Sequence, residues 1–587
     1  SLYADRSPIG TEDVIRNAPG GIFRNFYHKW YRPENMAVIV TGDFDDVGAV
    51  KEKIIRLFSP LTAAAHVQAP PKFIRPTFQG HENPRICCHV DHELSNTVVN
   101  ATFQLEQRSI ATPEDYFKQT IQECYKMCLD NRLYKLMRRP KPIFFSAGIG
   151  SEDLSRTSAL LSVQMTCESS KAKDALESVL TEVSRARLFG FSAQELRIAK
   201  LNQIADMEQL YVERDQTYCT DARDELVQHF LRGDMVIGAG LEASLATACI
   251  EKVTLEDVFQ YAQNVSVSKS CMIRLQEGRK KTNEDDLREA VNRVAEKERN
   301  GEIEENLETF FVPERLMADP QPLKEGSTAI ASTRTHPISD VTEVVLKNGI
   351  KIALKSTNFL DDQVLMRVAA RGGLSEISKE EYKDALFAGT VSRELGVFGY
   401  RPEVFSDAMA GKRVDVVPNI GTYKRSIVGE TSPDHIDVLL QCTHLIFSNN
   451  VENQCNEQDL EVLREMQREA VKNAKRDPMK VFAEIQRALT YGNSYLSKPI
   501  TLKTLAKMDA EKACRYFNEC FVDPSHFTMV LVGAFDIGTI LPLLEKYIGS
   551  IPRPLDSKEK LARVKPAPFD FPKKAVSKRV RLKMIDH

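Results

Sequence analysis

The 587-residue chain lacks any apolar run near the ~20 residues that a membrane helix needs, so no membrane span is expected. It also lacks an excess of one charge. Its 79 basic and 82 acidic residues leave a net charge of −3, which carries no nucleic-acid footprint. Its 12 cysteines show no framework spacing. A chain this long builds its own cores, so these read as free thiols, and a reducing intracellular, stromal or matrix compartment is expected. No signal peptide is visible, but Ser1 is not an initiator methionine, so this carries no information about a leader.

What is present is an ordinary globular composition, 42% hydrophobic and 27% charged. The length suggests roughly 3–5 domains. Ile22, Phe23, Phe26, Tyr27 and Trp30 recur at helical spacing and predict a helix with an aromatic core stripe. Arg32-Pro33-Glu34-Asn35 breaks that pattern. Met36–Val40 then predicts a strand buried on both faces, ended by Gly42. Asp45 or Asp46 caps a following helix, Val47–Phe58. A doubly buried strand needs partners, and 25 residues upstream of this stretch supply none. The chain is therefore expected to begin inside a domain.

This unit has a second copy at an offset of 491. Phe517, Pro524, Gly533 and Phe535-Asp536 match Phe26, Pro33, Gly42 and Phe44-Asp45, and a helix Ile537–Tyr547 is expected to follow. A weaker third copy ends near residues 254–276. A strand–helix–helix unit over 160–200 recurs over 425–465, where Glu195-Leu196 corresponds to Asp459-Leu460. The repeat is too long for a solenoid and reads as a duplicated α+β domain. Proline and charge mark the seams.

Candidate sites are few. Cys87, Cys88, His89, Asp91 and His92 are all metal-ligand types, but strand alternation puts Cys87, His89 and Asp91 on one face and Cys88 and His92 on the other. A structural strand is the expected outcome. Cys124 and Cys128 share a helical face and read as packed thiols. His28 reads as a surface or packing histidine, and Gly20-Gly21 as a turn without phosphate-loop context. The basic run 573–583 alternates as a charged strand.

The segments "YADRSPIG…FYHKWYRPENMAVIVTGDF" (3–44), "HVDHELSNTVV" (89–99) and "LKNGIKIALKSTNFLDDQVLMRVAARGGLSE" (346–376) resemble the pitrilysin/insulinase family, in its four-domain PqqL-like branch. These are zinc metallopeptidases with the inverted motif His-x-x-Glu-His. The resemblance covers nearly the whole chain. It implies duplicated domains, each a mainly antiparallel sheet with packed helices, arranged as a two-halved clamshell.

The implied organisation is the C-terminal half of a first domain (1–58), a linker (59–84), a second domain (85–276), a charged hinge (277–337), a third domain without zinc motif (338–554), and a linker with the start of a fourth domain (555–587). The implied function is a metalloendopeptidase acting on peptides or unfolded protein. The alternative is a noncatalytic partner or scaffold subunit of the same fold.

Zinc is expected in the full-length parent and not on this chain. No His-x-x-Glu-His occurs among the 11 histidines. Anchoring on Gly372 and Glu376 places Ala385, Ala388 and Gly389 where two histidines and a glutamate would stand. No catalytic, metal or cofactor residue is therefore assigned.

Overall fold

The computed structural model describes residues 9–61, 80–306, 311–321, 327–451, 457–554 and 572–580, apart from positions 93, 95, 108, 140, 156, 450, 475–476 and 493. Period-two patterning sets the strands. Val99, Ala101 and Phe103 point inward from Thr97–Glu106, and Val364, Met366, Val368 and Ala370 from Val364–Arg371.

Twelve strands form two sheets among the described residues. The first holds β1 (Arg85–Val90), β2 (Thr97–Glu106), β3 (Phe144–Ser155), β4 (Ser158–Cys167) and β5 (Cys271–Glu277) in the order β1-β5-β2-β4-β3. The second holds β6 (Ile330–His336), β7 (Val341–Leu346), β8 (Lys351–Ser356), β9 (Val364–Arg371), β10 (Val414–Ile420), β11 (Lys424–Thr431) and β12 (Thr528–Gly533) in the order β10-β11-β9-β12-β8-β7-β6.

The duplication is visible in the strand order. β5 lies parallel to β1 and antiparallel to β2. β12 lies parallel to β8 and antiparallel to β9. Thus β1, β5, β2, β4 and β3 correspond to β8, β12, β9, β11 and β10, and the fold is mixed α+β as expected. Each sheet has its own core. Over the first pack helices Pro113–Met137 and Ala172–Phe189, burying Cys124, Tyr125, Leu129, Leu176 and Val179. Over the second pack Ile436–Ser448 and Ala510–Phe521.

The strand–helix–helix repeat also keeps a polar feature. Glu195 takes Nε and Nη2 of Arg132 at 2.6 and 2.9 Å, while its counterpart Asp459 takes Nη2 of Arg401 at 3.0 Å. Glu195 also closes a capping box with Ser192.

The first copy of the opening unit forms its local elements without the sheet that its second copy has, as expected of a half-domain whose flanking strands are missing. Helix Gly20–Trp30, a 3₁₀ turn Pro33–Asn35 and helix Val47–Phe58 form as the punctuation predicts, with Asp46 accepting from the Ala49 amide at 3.1 Å. The turn aligns with Pro524–His526 at the same offset. Yet Met36–Val40 is extended and unpaired. No neighbouring strand among the described residues supplies its hydrogen bonds. Phe26, Val38 and Val40 are 58, 46 and 48% exposed, whereas their counterparts Phe517, Met529 and Leu531 are all at 0%. The aromatic stripe of Phe23, Phe26 and Tyr27 is therefore surface rather than core.

Other differences are smaller. Gly20 and Gly21 open the helix instead of forming a turn. The expected hinge 277–337 is only partly linker. Helix Glu284–Asn300 buries Leu287, Ala290, Val291 and Val294 in the first sheet's core, and β6 already begins at Ile330. Its charged residues occupy the outer face of an amphipathic helix, which is why composition alone reads as linker. Residues 572–580 form no strand, and 581–583 lie outside the described residues. The helix after β12 runs Ile537–Leu543 and then widens to a π turn, Leu544–Ile548, beyond Pro542.

The two sheets' layers meet through polar contacts. Asp407, almost fully buried, accepts from Asn131 at 3.0 Å and Lys135 at 2.7 Å. Arg138 pairs with Glu394 and donates to its carbonyl at 3.1 Å. The Gly411 amide donates to Asn202 at 2.9 Å.

Two outcomes follow. Hydrogen exchange in this chain should be fast at Val38–Val40 and slow at Met529–Val532; protection of Val38–Val40 would contradict the unpaired strand. Burial raises the Glu195 carboxyl, but Arg132 and Ser192 outweigh it and hold it below the ordinary value. Its contribution is present at neutral pH and disappears as pH falls through that depressed value. Glu195→Gln should therefore be less stable at pH 7, with a smaller loss on acidification to pH 3 in denaturant melts. An unchanged acid limb would remove Glu195 from the account.

Candidate functional site

The repeat directs attention to the segment following β9. Gly372 has φ +101°, and a Cβ there would stand 2.5 Å from Glu376 Oε2. Glu376 thus folds back on the turn and receives the Gly373 amide at 3.3 Å. Two short helices follow, Tyr382–Ala385 and Ala388–Glu394, interrupted at Leu386-Phe387. Ala385 and Ala388 are buried. A Cβ added to Gly389 would meet nothing within 4 Å. Asp384 is nearby, but it receives the Asp509 amide at 3.0 Å and serves as a structural anchor.

These residues do not fit zinc. A hydrolytic zinc takes three side-chain ligands and an open position beside a base. Alanine and glycine supply neither. Among the described residues, no group of three His, Cys, Asp or Glu side chains is placed to hold a metal ion.

The other candidates fall where strand and helix geometry puts them. In β1, Cys87 and His89 are exposed on one face and Cys88 half-buried on the other. β1 is an edge strand, with Cys87 opposite Arg274 and His89 opposite Gln276 of β5. His92 turns away to the Gly278 carbonyl at 3.0 Å. Burial, with Glu284 and Cys87 nearby, pushes the Cys88 thiol up. Cys124 and Cys128 lie in the first core; Gln203 Nε2 donates to Cys124 Sγ at 3.3 Å. Burial pushes the Cys124 thiol up to about 11 and that of Cys128 well above its ordinary value. His28 sits on the exposed helix with its ring edge to Tyr27. The eleven described cysteines are all free.

Beside the Ala385–Gly389 segment lies a feature that no sequence motif announced. A cavity of about 600 Å³ opens between Tyr382 and Leu386, the tip Gly421–Tyr423, and helices Glu457–Ala474 and Pro478–Thr490. The Tyr382 hydroxyl donates to the Leu496 carbonyl at 2.9 Å. Its described lining residues come from six stretches between Leu374 and Ile500, so spacing alone cannot reveal it.

Comparison with known proteins places this geometry. The family model described as Peptidase M16 inactive domain matches residues 22–203. A zinc protease PQQL-like protein of Arabidopsis thaliana is 33% identical over all of this chain and 55% of its own length. A probable zinc protease PqqL of Haemophilus influenzae is 22% identical over 94% of the chain and 58% of its length. These matches make the chain similar to the pitrilysin/insulinase family, in its PqqL-like branch. It spans little more than half the length of these relatives. Solved structures agree on the fold. The ferredoxin protease FusC, in complex with Arabidopsis ferredoxin, superposes with a TM-score of 0.56 at 16% identity, over 94% of this chain and 60% of that one. Pitrilysin gives 0.52 at 12%, over 91% and 55%.

The thiol environments are open to direct test. Brief iodoacetamide treatment of the native chain should label the exposed Cys87 and Cys219 and leave Cys124 and Cys128 unmodified by mass spectrometry. Equal labelling of Cys124 would mean that its helix is not packed as described.

Proposed function

We propose that this chain is part of a zinc-dependent endopeptidase of peptides and unfolded segments, and that residues 1–587 form wall rather than metal centre. The observation that carries the reading is the Ala385, Ala388 and Gly389 set at the repeat's motif position, within a family whose relatives are named zinc proteases. Zinc in such enzymes acidifies a bound water toward pKa ~7. This chain's own contribution would be different. Its two sheets would enclose part of a chamber, and exposed strand edges would hold extended peptide through main-chain hydrogen bonds. The same reading takes the chain as partial, the metal ligands lying in sequence outside it. It also favours a reducing compartment, since unpaired thiols persist there.

The test is metal content measured together with cleavage of an unstructured fluorogenic peptide. Residues 1–587 alone should hold no stoichiometric zinc and show no chelator-sensitive cleavage. A longer polypeptide that adds an upstream His-x-x-Glu-His segment should show both. One zinc per chain with cleavage by residues 1–587 would overturn the reading. Neither property in the longer polypeptide would favour the noncatalytic partner of the same fold.

A further inference from the structure

The cavity beside Ala385–Gly389 has a built character that the peptidase reading does not use. Helix Glu457–Ala474 turns Gln467, Ala470, Val471 and Ala474 toward it; helix Pro478–Thr490 turns Lys480, Ala483, Glu484 and Arg487. Both sets follow i, i+3, i+4, i+7, so each is one helical face. The alanines on the two faces leave the gap unfilled. At about 600 Å³ it lies within the usual range of ligand sites, roughly 300–1,000 Å³.

The charge on the rim is unbalanced. Among the described lining residues, Lys480, Arg487 and Lys498 face one acid, Glu484. Lys480 leans toward Asp477 at 3.8 Å. Arg487 and Lys498 have no ion-pair partner among the described residues. A guanidinium presents a planar fork matched to a carboxylate. Beneath the cations, Leu374, Leu386, Val471 and Leu496 form an apolar floor. The complementary ligand has a bulky apolar group and a carboxylate a few bonds apart.

We propose that this cavity binds the C-terminal end of a peptide, its last apolar side chain on the floor and its carboxylate on Arg487 and Lys498. The lining also contains Gln467, Glu484, Thr422 and Ser497. Backbone amides of a peptide answer these polar groups; the alkyl chain of a fatty acid would bury them unpaired. Binding here needs no metal and is read without cleavage. Its failure would leave the peptidase reading intact, and the reverse holds as well.

The experiment is fluorescence anisotropy with residues 1–587 and a fluorescein-labelled glycine-serine decapeptide ending in Leu-Phe. The free acid should bind about tenfold or more tightly than the C-terminal amide, the scale of one charged hydrogen bond. Arg487→Gln should erase that difference. Ala483→Trp should abolish binding by filling the gap. Lys173→Gln, on the first sheet's helices, should change nothing, and thermal melts should show all three variants folded. Raising salt from 50 to 500 mM should weaken the acid more than the amide. Equal affinity for acid and amide, insensitivity to Arg487→Gln and Ala483→Trp, or no binding at all would overturn the proposal. So would binding of dodecanoate without binding of the peptide.

Discussion

Each sheet depends on the insertion of one late strand between two early ones. β5 separates β1 from β2, and β12 separates β8 from β9. Each joins a parallel neighbour on one side to an antiparallel neighbour on the other. Without it, the two early strands have no shared hydrogen bonds, and the helices have no continuous floor. Gly533 shows how close the fit is: it has φ +143°, and a Cβ there would lie 2.2 Å from the Gln363 carbonyl. The helix that precedes the inserted strand is buried only where that insertion has occurred. The residue pair Phe26 and Phe517 measures the difference, since both have the same sequence context and opposite environments.

Local features of the fold were legible in the sequence. Pro33 and Pro524 start matching 3₁₀ turns, and Asp46 and Asp536 cap matching helices; the Glu195 and Asp459 positions were seen to correspond, but that both anchor an arginine came from the structure. These depend on a few neighbouring residues. The exposure of Met36–Val40 could also be foreseen, because apolarity sets what a strand prefers and the residues before it supply no partner strands. Helix Glu284–Asn300 was hidden by its charge. Its four core residues are diluted by a solvated face, and only the 3.6-residue period separates such a helix from a linker.

The candidate site shows the same division. Ala385, Ala388 and Gly389 could be placed only through the family resemblance, counted from Gly372 and Glu376, and the structure puts the two alanines in packed positions where side-chain chemistry is absent. The adjoining cavity could not be read. Alanines at helical spacing look like ordinary packing, and the gap exists only because the Gly421–Tyr423 tip and two distant helices converge on it.

The late strand also sets an order of events during synthesis. β2 ends at Glu106 and β5 begins at Cys271. At about 5–20 residues per second, β1 and β2 wait on the order of ten seconds or more for the segment that bridges them. In that interval the inner edge of β2, with Val99, Ala101 and Phe103 on its apolar face, stands open on the ribosome. An uncovered strand edge of this kind is what holdase chaperones recognise and what seeds aggregation when translation stalls. Ribosome pausing between the second and fifth strands would therefore be a hazard for this protein, and the same holds between β9 and β12.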